Sequence, residues 1–165
     1  MKTKTVKRYT YKGLGFPIIL LDVPFVEIRG VWTPAIKYEK LQKEVLLALC
    51  HKPIPFSGNE VHFIRAYFEM TLHQFGKQFG VSHVAVLHWE KTKNRVAKIS
   101  TTTELCIRLF ILEKLEINNQ LFRDIFREFN TQHIQKEQKA PLAVAQKPLL
   151  FPSILFAKTP ASLRV

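Results

Sequence analysis

Three helix-start signals within residues 57–90 constrain the fold of this chain more than any other feature. Ser57-x-x-Glu60 and Thr71-x-x-Gln74 are capping boxes, in which the first side chain and the Glu or Gln each accept a hydrogen bond from the other residue's backbone N–H. Ser82 marks a third start. Apolar residues follow each start at helical spacing: Val61, Ile64 and Phe68, then Leu72, Phe75 and Phe79, then Val86 and Trp89. The segment is predicted to form three short helices.

Two glycines predict how the second and third of these helices meet. Gly80 lies between them, and glycine ends a helix in the left-handed conformation without a steric penalty. Val81 is then expected to turn back into the core. Gly76 is small at the position where the two helices would cross closely. The spacing therefore predicts a helix-turn-helix.

This pattern resembles the Xre/Cro-type helix-turn-helix of bacterial repressors and antitoxins. The family signature is a Thr-capped helix, Gly-Val-Ser, and a recognition helix ending in Trp-Glu, and residues 71–90 carry each part. The resemblance implies an all-α, lambda-repressor-like domain that places its third helix in the major groove of double-stranded DNA. The DNA-binding residues that it implies on the helices are Thr71, Gln74, Ser82, His83, Val84, Leu87 and His88.

Two features bear on how specific such binding would be. Val84 and Leu87 cannot donate hydrogen bonds, so they could touch only thymine methyl groups and would leave His83 and His88 for polar contacts. Leu72 stands where the family often has a phosphate-binding Gln. An alternative is therefore the same fold used as a protein-interaction module, with the apolar third helix against a partner protein.

The segment 91–100, KTKNRVAKIS, has four cations and no carboxylate. In the resembling family the chain here runs along a DNA backbone, so Lys91, Lys93 and Arg95, with Lys98, stand where phosphate contacts are expected. A solvated loop is the alternative. The net charge of +12 and pI near 9.9 favour an acidic partner, although lysines could also simply keep the surface soluble.

Residues 1–52 are predicted to form a small β-rich unit with a linker helix. Residues 1–8 read as a loose basic arm, and residues 9–29 as a two- or three-stranded sheet with a turn at 13–15. Pro17 and Pro24 indicate edge strands or strand ends, because proline cannot donate to a central ladder. Thr33-Pro34 predicts a helix start, and that helix would run to about Cys50. Pro53 and Pro55 mark the best boundary.

A second resemblance extends the first. The order of a β-rich unit beginning with Tyr-x-Gly, a linker helix and then the sequence FSGNEVHFIR at 56–65 resembles the MqsA-like (YgiT-type) antitoxins. Their four zinc-binding cysteines are absent here, so apolar residues must hold the sheet. These are Phe16, Ile18, Leu20, Val26, Ile28 and Trp32. The resemblance implies an autorepressor of a toxin–antitoxin operon, with a cognate toxin protein as a second partner.

The C-terminal third is less regular. Thr101-x-x-Glu104 predicts a capped, mostly buried helix, and residues 118–130 predict an amphipathic one. The stripe of Leu121, Phe122, Ile125, Phe126 and Phe129 fits either core packing or a dimer interface. A homodimer is expected, because one recognition helix covers only a few base pairs. The tail 131–165 contains four prolines and would pack on the domain or dock on a partner.

The whole chain is expected to be α+β: residues 1–52 as described, residues 53–130 as the helix-turn-helix domain with its C-terminal helices, and 131–165 as an irregular tail. No nucleophile elbow, Gly-rich phosphate loop or H-E-x-x-H occurs, so no enzyme, cofactor or metal is expected. Cys50 and Cys106 read as buried small hydrophobes in a reducing cytosol. No apolar run approaches about 20 residues, so we expect no membrane segment and a cytoplasmic location.

Overall fold

The computed structural model describes residues 2–115, Gln120 and the backbone of residues 142–145. The fold is α+β: a three-stranded antiparallel sheet comes first, and five helices follow it. The strands are β1 Thr3–Tyr11, β2 Ile18–Ile28, β3 Val31–Pro34 and β4 Leu142–Ala145. The helices are α1 Tyr38–His51, α2 Gly58–Tyr67, α3 Leu72–Gln78, α4 His83–Lys91 and α5 Thr101–Lys114.

Strand β2 is the centre of the sheet. It pairs with β1 along its length, from Thr3↔Val26 to Tyr11↔Ile18. On its other side β3 runs antiparallel to the end of β2, and β4 runs parallel to residues 18–21 at its start. The β2–β3 hairpin closes through Arg29 and Gly30, whose φ values of 51° and 80° suit a type I′ turn.

Two of the strand predictions need correction. The basic arm 1–8 is not loose, because its residues form most of β1 and pair with β2. Pro24 lies in the central strand, not at an edge. Its carbonyl accepts from Ala35 N at 2.8 Å, and the N and C=O of one strand residue face the same side. The missing N–H therefore faces away from β1, and the β1 ladder loses nothing.

Asp22 explains why the sheet core differs from its prediction. Its φ of 53° kinks β2, and the buried positions change from Ile18 and Leu20 before the kink to Val23 and Phe25 after it. Ile28 was expected to hold the sheet, but the kink turns it to the other face, where it is 45% exposed. Phe16 is buried as expected, and Val26 and Trp32 are half-buried.

Two helix starts also differ from the expectation. Thr33 and Pro34 belong to β3 and pair with Val26 and Phe25 of β2, because the tight hairpin at Arg29 and Gly30 places β3 directly beside β2. Helix α1 therefore begins at Tyr38, without a side-chain cap. At α5 the cap is Ser100, whose Oγ accepts from Thr103 N at 3.1 Å. Glu104 does not complete a capping box, because its side chain is buried against Arg108.

Arg108 ties α1, the loop after it and α5 together. Its Nη1 donates to the carbonyl oxygens of Leu49, Cys50 and Lys52, each at 2.8 Å. Its Nη2 donates to Glu104 Oε1 at 2.6 Å and to the Ile54 carbonyl at 3.2 Å. Burial raises the pKa of Glu104, and the charge of Arg108 opposes that rise. The residues on either side of the predicted boundary at 52/53 share one hydrophobic cluster.

The two cysteines do not share one environment. Cys50 is buried as expected, and burial raises the pKa of its thiol to about 12. Cys106 is exposed on α5, so its prediction as a buried residue was wrong. Within the described residues, no helix is long and apolar enough to cross a membrane.

Two C-terminal predictions fall wholly or partly outside the described residues. The helix predicted at 118–130, with its proposed dimer stripe, lies outside them except for Gln120. The tail 131–165 was predicted to be irregular, but its residues 142–145 form β4, because a short apolar run there pairs with the open side of β2. The rest of that tail lies outside the described residues.

Helices α3 and α4 meet at the two predicted glycines. Gly80 has φ +66°, and Val81 N donates to the Gly76 carbonyl at 2.9 Å while Gly80 N donates to that of Lys77 at 3.4 Å. These are the two bonds of a Schellman motif. A Cβ on Gly76 would lie 2.6 Å from the Val81 carbonyl oxygen, so the crossing excludes a side chain. Both glycine predictions are confirmed.

Replacing these glycines should destabilise the fold. Gly80→Val forces a β-branched residue into positive φ and should cost about 1–2 kcal/mol or more, and Gly76→Leu overpacks the crossing at about 1–3 kcal/mol. Lys77→Val and Gln78→Leu introduce the same side chains at exposed α3 positions and should cost under about 1 kcal/mol. Urea unfolding measures the difference, and equal midpoints for the glycine variants and their controls would show the crossing to be misplaced.

Candidate nucleic-acid interface

The caps of α2, α3 and α4 form as the sequence predicts. Ser57 Oγ accepts from Glu60 N at 3.4 Å, and Ser57 N donates to Glu60 Oε2 at 2.7 Å. Thr71 and Gln74 make the same reciprocal pair at 3.2 and 2.8 Å. Ser82 Oγ accepts from Ala85 N at 3.1 Å. Because each cap fixes where a helix begins, the three caps together set the position of α4.

One side of α4 is anchored in the core. Val86 is fully buried, and Trp89 is 8% exposed. Gly58, the first residue of α2, approaches the end of α4 so closely that a Cβ there would meet the Trp89 carbonyl oxygen and lie 2.6 Å from Thr92 Oγ1. This contact was not predicted from the sequence, in which a glycine directly after a capping serine is the signal for it. The opposite side of α4 therefore has a fixed orientation.

A bidentate ion pair anchors the end of α4 to α2. Arg65 Nε donates to Glu90 Oε1 at 2.6 Å, and Arg65 Nη2 donates to Glu90 Oε2 at 3.0 Å. His62 Nδ1 lies 3.0 Å from Glu90 Oε2. Burial alone would raise the pKa of Glu90, but the hydrogen bonds and charges of Arg65 and His62 outweigh it and hold the pKa below its ordinary value. The carboxylate is thus neutralised within the fold.

The predicted base-reading residues share the outer face of α4. Ser82, His83 and His88 are exposed, and Val84 is 45% exposed. Leu87 is half-buried. The structure therefore brings these five residues together on one accessible surface.

Thr71 and Gln74 stand at the start of α3 and are exposed. Thr71 Oγ1 and Gln74 Oε1 both accept hydrogen bonds in the capping box. The ring centroid of His73, the residue before Gln74, lies 6.3 Å from that of His83 on α4. The start of α3 therefore borders the outer face of α4.

The basic loop after α4 has a fixed backbone. Asn59 N donates to the Lys93 carbonyl at 2.8 Å, and Gly58 N donates to that of Arg95 at 3.3 Å. Ala97 N donates to the Phe56 carbonyl at 2.8 Å. The charges of this loop are evident in the sequence, but its attachment to α2 is not, because the attachment depends on residues more than 30 positions earlier in the chain.

The exposed charged residues of α3, α4 and the basic loop are all cations. Lys91, Lys93, Arg95 and Lys98 are exposed, and so is Lys77 on α3, which the sequence analysis missed. Within residues 71–100 Glu90 is the single carboxylate, and Arg65 neutralises it. We define the interface as the outer face of α4 with these five cations. It can accept an extended polyanion.

Glu90 should make the fold sensitive to acid. A carboxyl with a lowered folded-state pKa contributes stability that is present above its unfolded pKa, near 4.5, and is lost as pH falls through the folded value. Glu90→Gln should cost about 1–3 kcal/mol at neutral pH and show a shallower loss below about pH 4.5. Urea unfolding across pH, with the exposed Glu113→Gln as control, measures both. Parallel acid profiles for wild type and Glu90→Gln would contradict a stabilising pair.

Comparison of the chain with protein-family models, curated proteins and solved structures finds no match. The role of each interface residue is therefore assigned from its position, exposure and charge.

Proposed function

We propose that this protein binds double-stranded DNA as a transcriptional regulator with a lambda-repressor-like helix-turn-helix. The observation that carries the proposal is the exposed face of α4, flanked by five cations and facing no free carboxylate within residues 71–100. A two-helix unit whose second helix presents one exposed face is the arrangement that fits a major groove about 12 Å wide.

The two parts of the interface would do different work. Ser82, His83 and His88 carry hydrogen-bonding groups for base edges, and Val84 offers methyl groups to thymine. Lys91, Lys93 and Arg95 would contact phosphates, which position the helix but carry no sequence information directly. The fixed backbone of the loop supports this role, because little ordering of the main chain remains to be done on binding.

The narrower proposal is an autorepressor of the antitoxin type, acting in the cytoplasm. It is supported by the likeness of residues 56–65 to the MqsA-like antitoxins. In this chain Ser57 and Glu60 of that segment form the cap of α2, and Arg65 forms an ion pair with Glu90. A toxin partner follows from the same likeness. The competing function is a protein-interaction module, which the exposed Val84 favours, since an apolar side chain suits a protein groove as well as a base methyl.

Binding to duplex DNA should be strong at low salt and should weaken steeply as salt is added. Changing Lys91, Lys93 and Arg95 to alanine should weaken binding to all sequences and flatten the slope of log K against log salt by about 0.9 for each lost contact. Fluorescence anisotropy measures this. The control changes Lys37, Lys40 and Lys43, three exposed lysines near or on α1, and should leave the slope unchanged. Equal slopes for both triple variants and wild type would reject the loop as a DNA contact.

Specific regulation further implies a twofold dimer. Footprinting on the DNA upstream of the protein's own gene should show an inverted repeat with half-sites about 10 base pairs apart or a multiple of that spacing. Phe126→Glu, in the apolar stripe of 118–130, should give a monomer by light scattering and lose the paired footprint. If the wild type is a monomer at tens of micromolar, or if the footprint lacks inverted symmetry, the dimer is rejected and the protein-interaction function is favoured.

A further inference from the structure

The β1–β2 turn lies directly beside the basic loop. Asn59 Nδ2 donates to the Gly15 carbonyl at 2.8 Å and to Asn94 Oδ1 at 2.8 Å, while Asn59 N donates to the Lys93 carbonyl. One residue of α2 thus holds both segments. The rings of Phe16 and Phe63 pack edge to face, 5.6 Å between centroids, beneath the same junction. The turn and the loop are therefore fixed side by side.

Two cations stand at this end of β1. Gly15 N donates to the Lys12 carbonyl at 3.2 Å, which places Lys12 in the turn itself. Successive side chains of a strand point to opposite faces, and the half-buried Tyr9 and Tyr11 face the core. Arg8 therefore lies on the outer face of β1, Lys12 lies in the turn just beyond the strand, and both side chains are exposed.

These two cations differ from those at the start of β1. Lys2 pairs with Glu27 at 3.8 Å, and Lys4 Nζ lies 4.2 Å from the ring centroid of Trp32. Arg8 and Lys12 form no ion pair within the part of the chain that the structure describes. Asp22, the first carboxylate in the sequence, lies in β2 between the register partners of Val6 and Arg8. The charges of Arg8 and Lys12 are therefore not neutralised by an ion pair, and Lys12 stands three residues before Gly15, whose carbonyl Asn59 joins to the basic loop.

We propose that Arg8 and Lys12 form a second line of contacts to DNA phosphates that continues the line made by Lys91, Lys93 and Arg95. The inference rests on the proposed DNA binding. It extends the site from the helices onto the N-terminal sheet and commits the outer, turn-proximal end of β1 to the DNA backbone. It also adds affinity that does not depend on base contacts, of which the apolar Val84 and Leu87 allow α4 only a few.

A different explanation of the same residues is protection of a sheet edge. Within the described residues β1 pairs on one side alone, and charged side chains on an edge strand discourage pairing with another chain. That role requires only charge on the strand. Contact with DNA requires the charge to be at the end beside the loop, so position along β1 distinguishes the two explanations.

The test compares two double variants of equal charge. Arg8→Gln with Lys12→Gln removes the turn-proximal cations, and Lys2→Gln with Lys4→Gln removes those at the other end, with Lys4 about 26 Å from Lys12 along the strand. Anisotropy is measured on a random duplex of about 20 base pairs over a range of salt concentrations. The first variant should flatten the salt slope by about 1.8, and the second should leave it unchanged.

A second measurement uses the wild-type protein and needs no substitution. Acetylation of lysines by an amine-reactive ester is followed by mass spectrometry, with and without the duplex. DNA should protect Lys12 and Lys93 several-fold and leave Lys2 and Lys37 as reactive as before. This measurement decides the matter if the glutamine variants aggregate.

The outcomes separate this inference from the function on which it rests. No binding by wild type at low salt would overturn both. Binding that depends on Lys91, Lys93 and Arg95, but keeps its slope in the Arg8 and Lys12 variant and leaves Lys12 unprotected, would overturn the inference alone. Equal flattening by both double variants would also overturn it, because the effect would then come from net charge and not from position.

Discussion

The buried Arg108–Glu104 pair is the interaction on which the rest of the fold depends. Arg108 donates to carbonyl oxygens of residues 49, 50, 52 and 54 and to Glu104, so one side chain satisfies the end of α1 and the loop leading to α2. A buried guanidinium without these acceptors would be very costly, and removing one partner of such a pair typically costs about 3–5 kcal/mol. Other conformations of residues 49–54 would leave the buried guanidinium without these acceptors, so they are disfavoured.

From that loop the position of the interface follows step by step. Lys52 Nζ binds Glu60 at 2.7 Å, and Glu60 also accepts from Ser57 N, so the start of α2 is joined to the loop that Arg108 holds. The start of α2 then fixes the basic loop through Gly58 and Asn59, and its later Arg65 fixes the end of α4. The position of the interface therefore depends on the contacts that α2 makes with the preceding loop, the basic loop and α4, and not on α3 and α4 alone.

The sequence predicted what is determined locally and missed what is determined across the chain. The caps at Ser57, Thr71 and Ser82 and the turn at Gly80 involve residues within a few positions of each other, so their spacing carries the information. The kink at Asp22 and the carbonyl acceptors of Arg108, more than 50 positions before it, have no such spacing. Glu104 shows the conflict directly: its local pattern predicts a cap, but its buried partner four residues later determines where the carboxylate lies.

The placement of carboxylates connects stability with the proposed binding. Residues 53–104 contain four, and three of them, Glu60, Glu90 and Glu104, each lie in a pair with a cation inside the fold. The fourth, Glu69, is exposed in the segment between α2 and α3. Because the acidic groups are used internally, the cations that remain on α3, α4 and the basic loop have no carboxylate within residues 71–100 to neutralise them. Attraction for phosphate is then reduced mainly by salt, not by intramolecular pairing. The same pairs that hold the helices in place thus leave the interface positive.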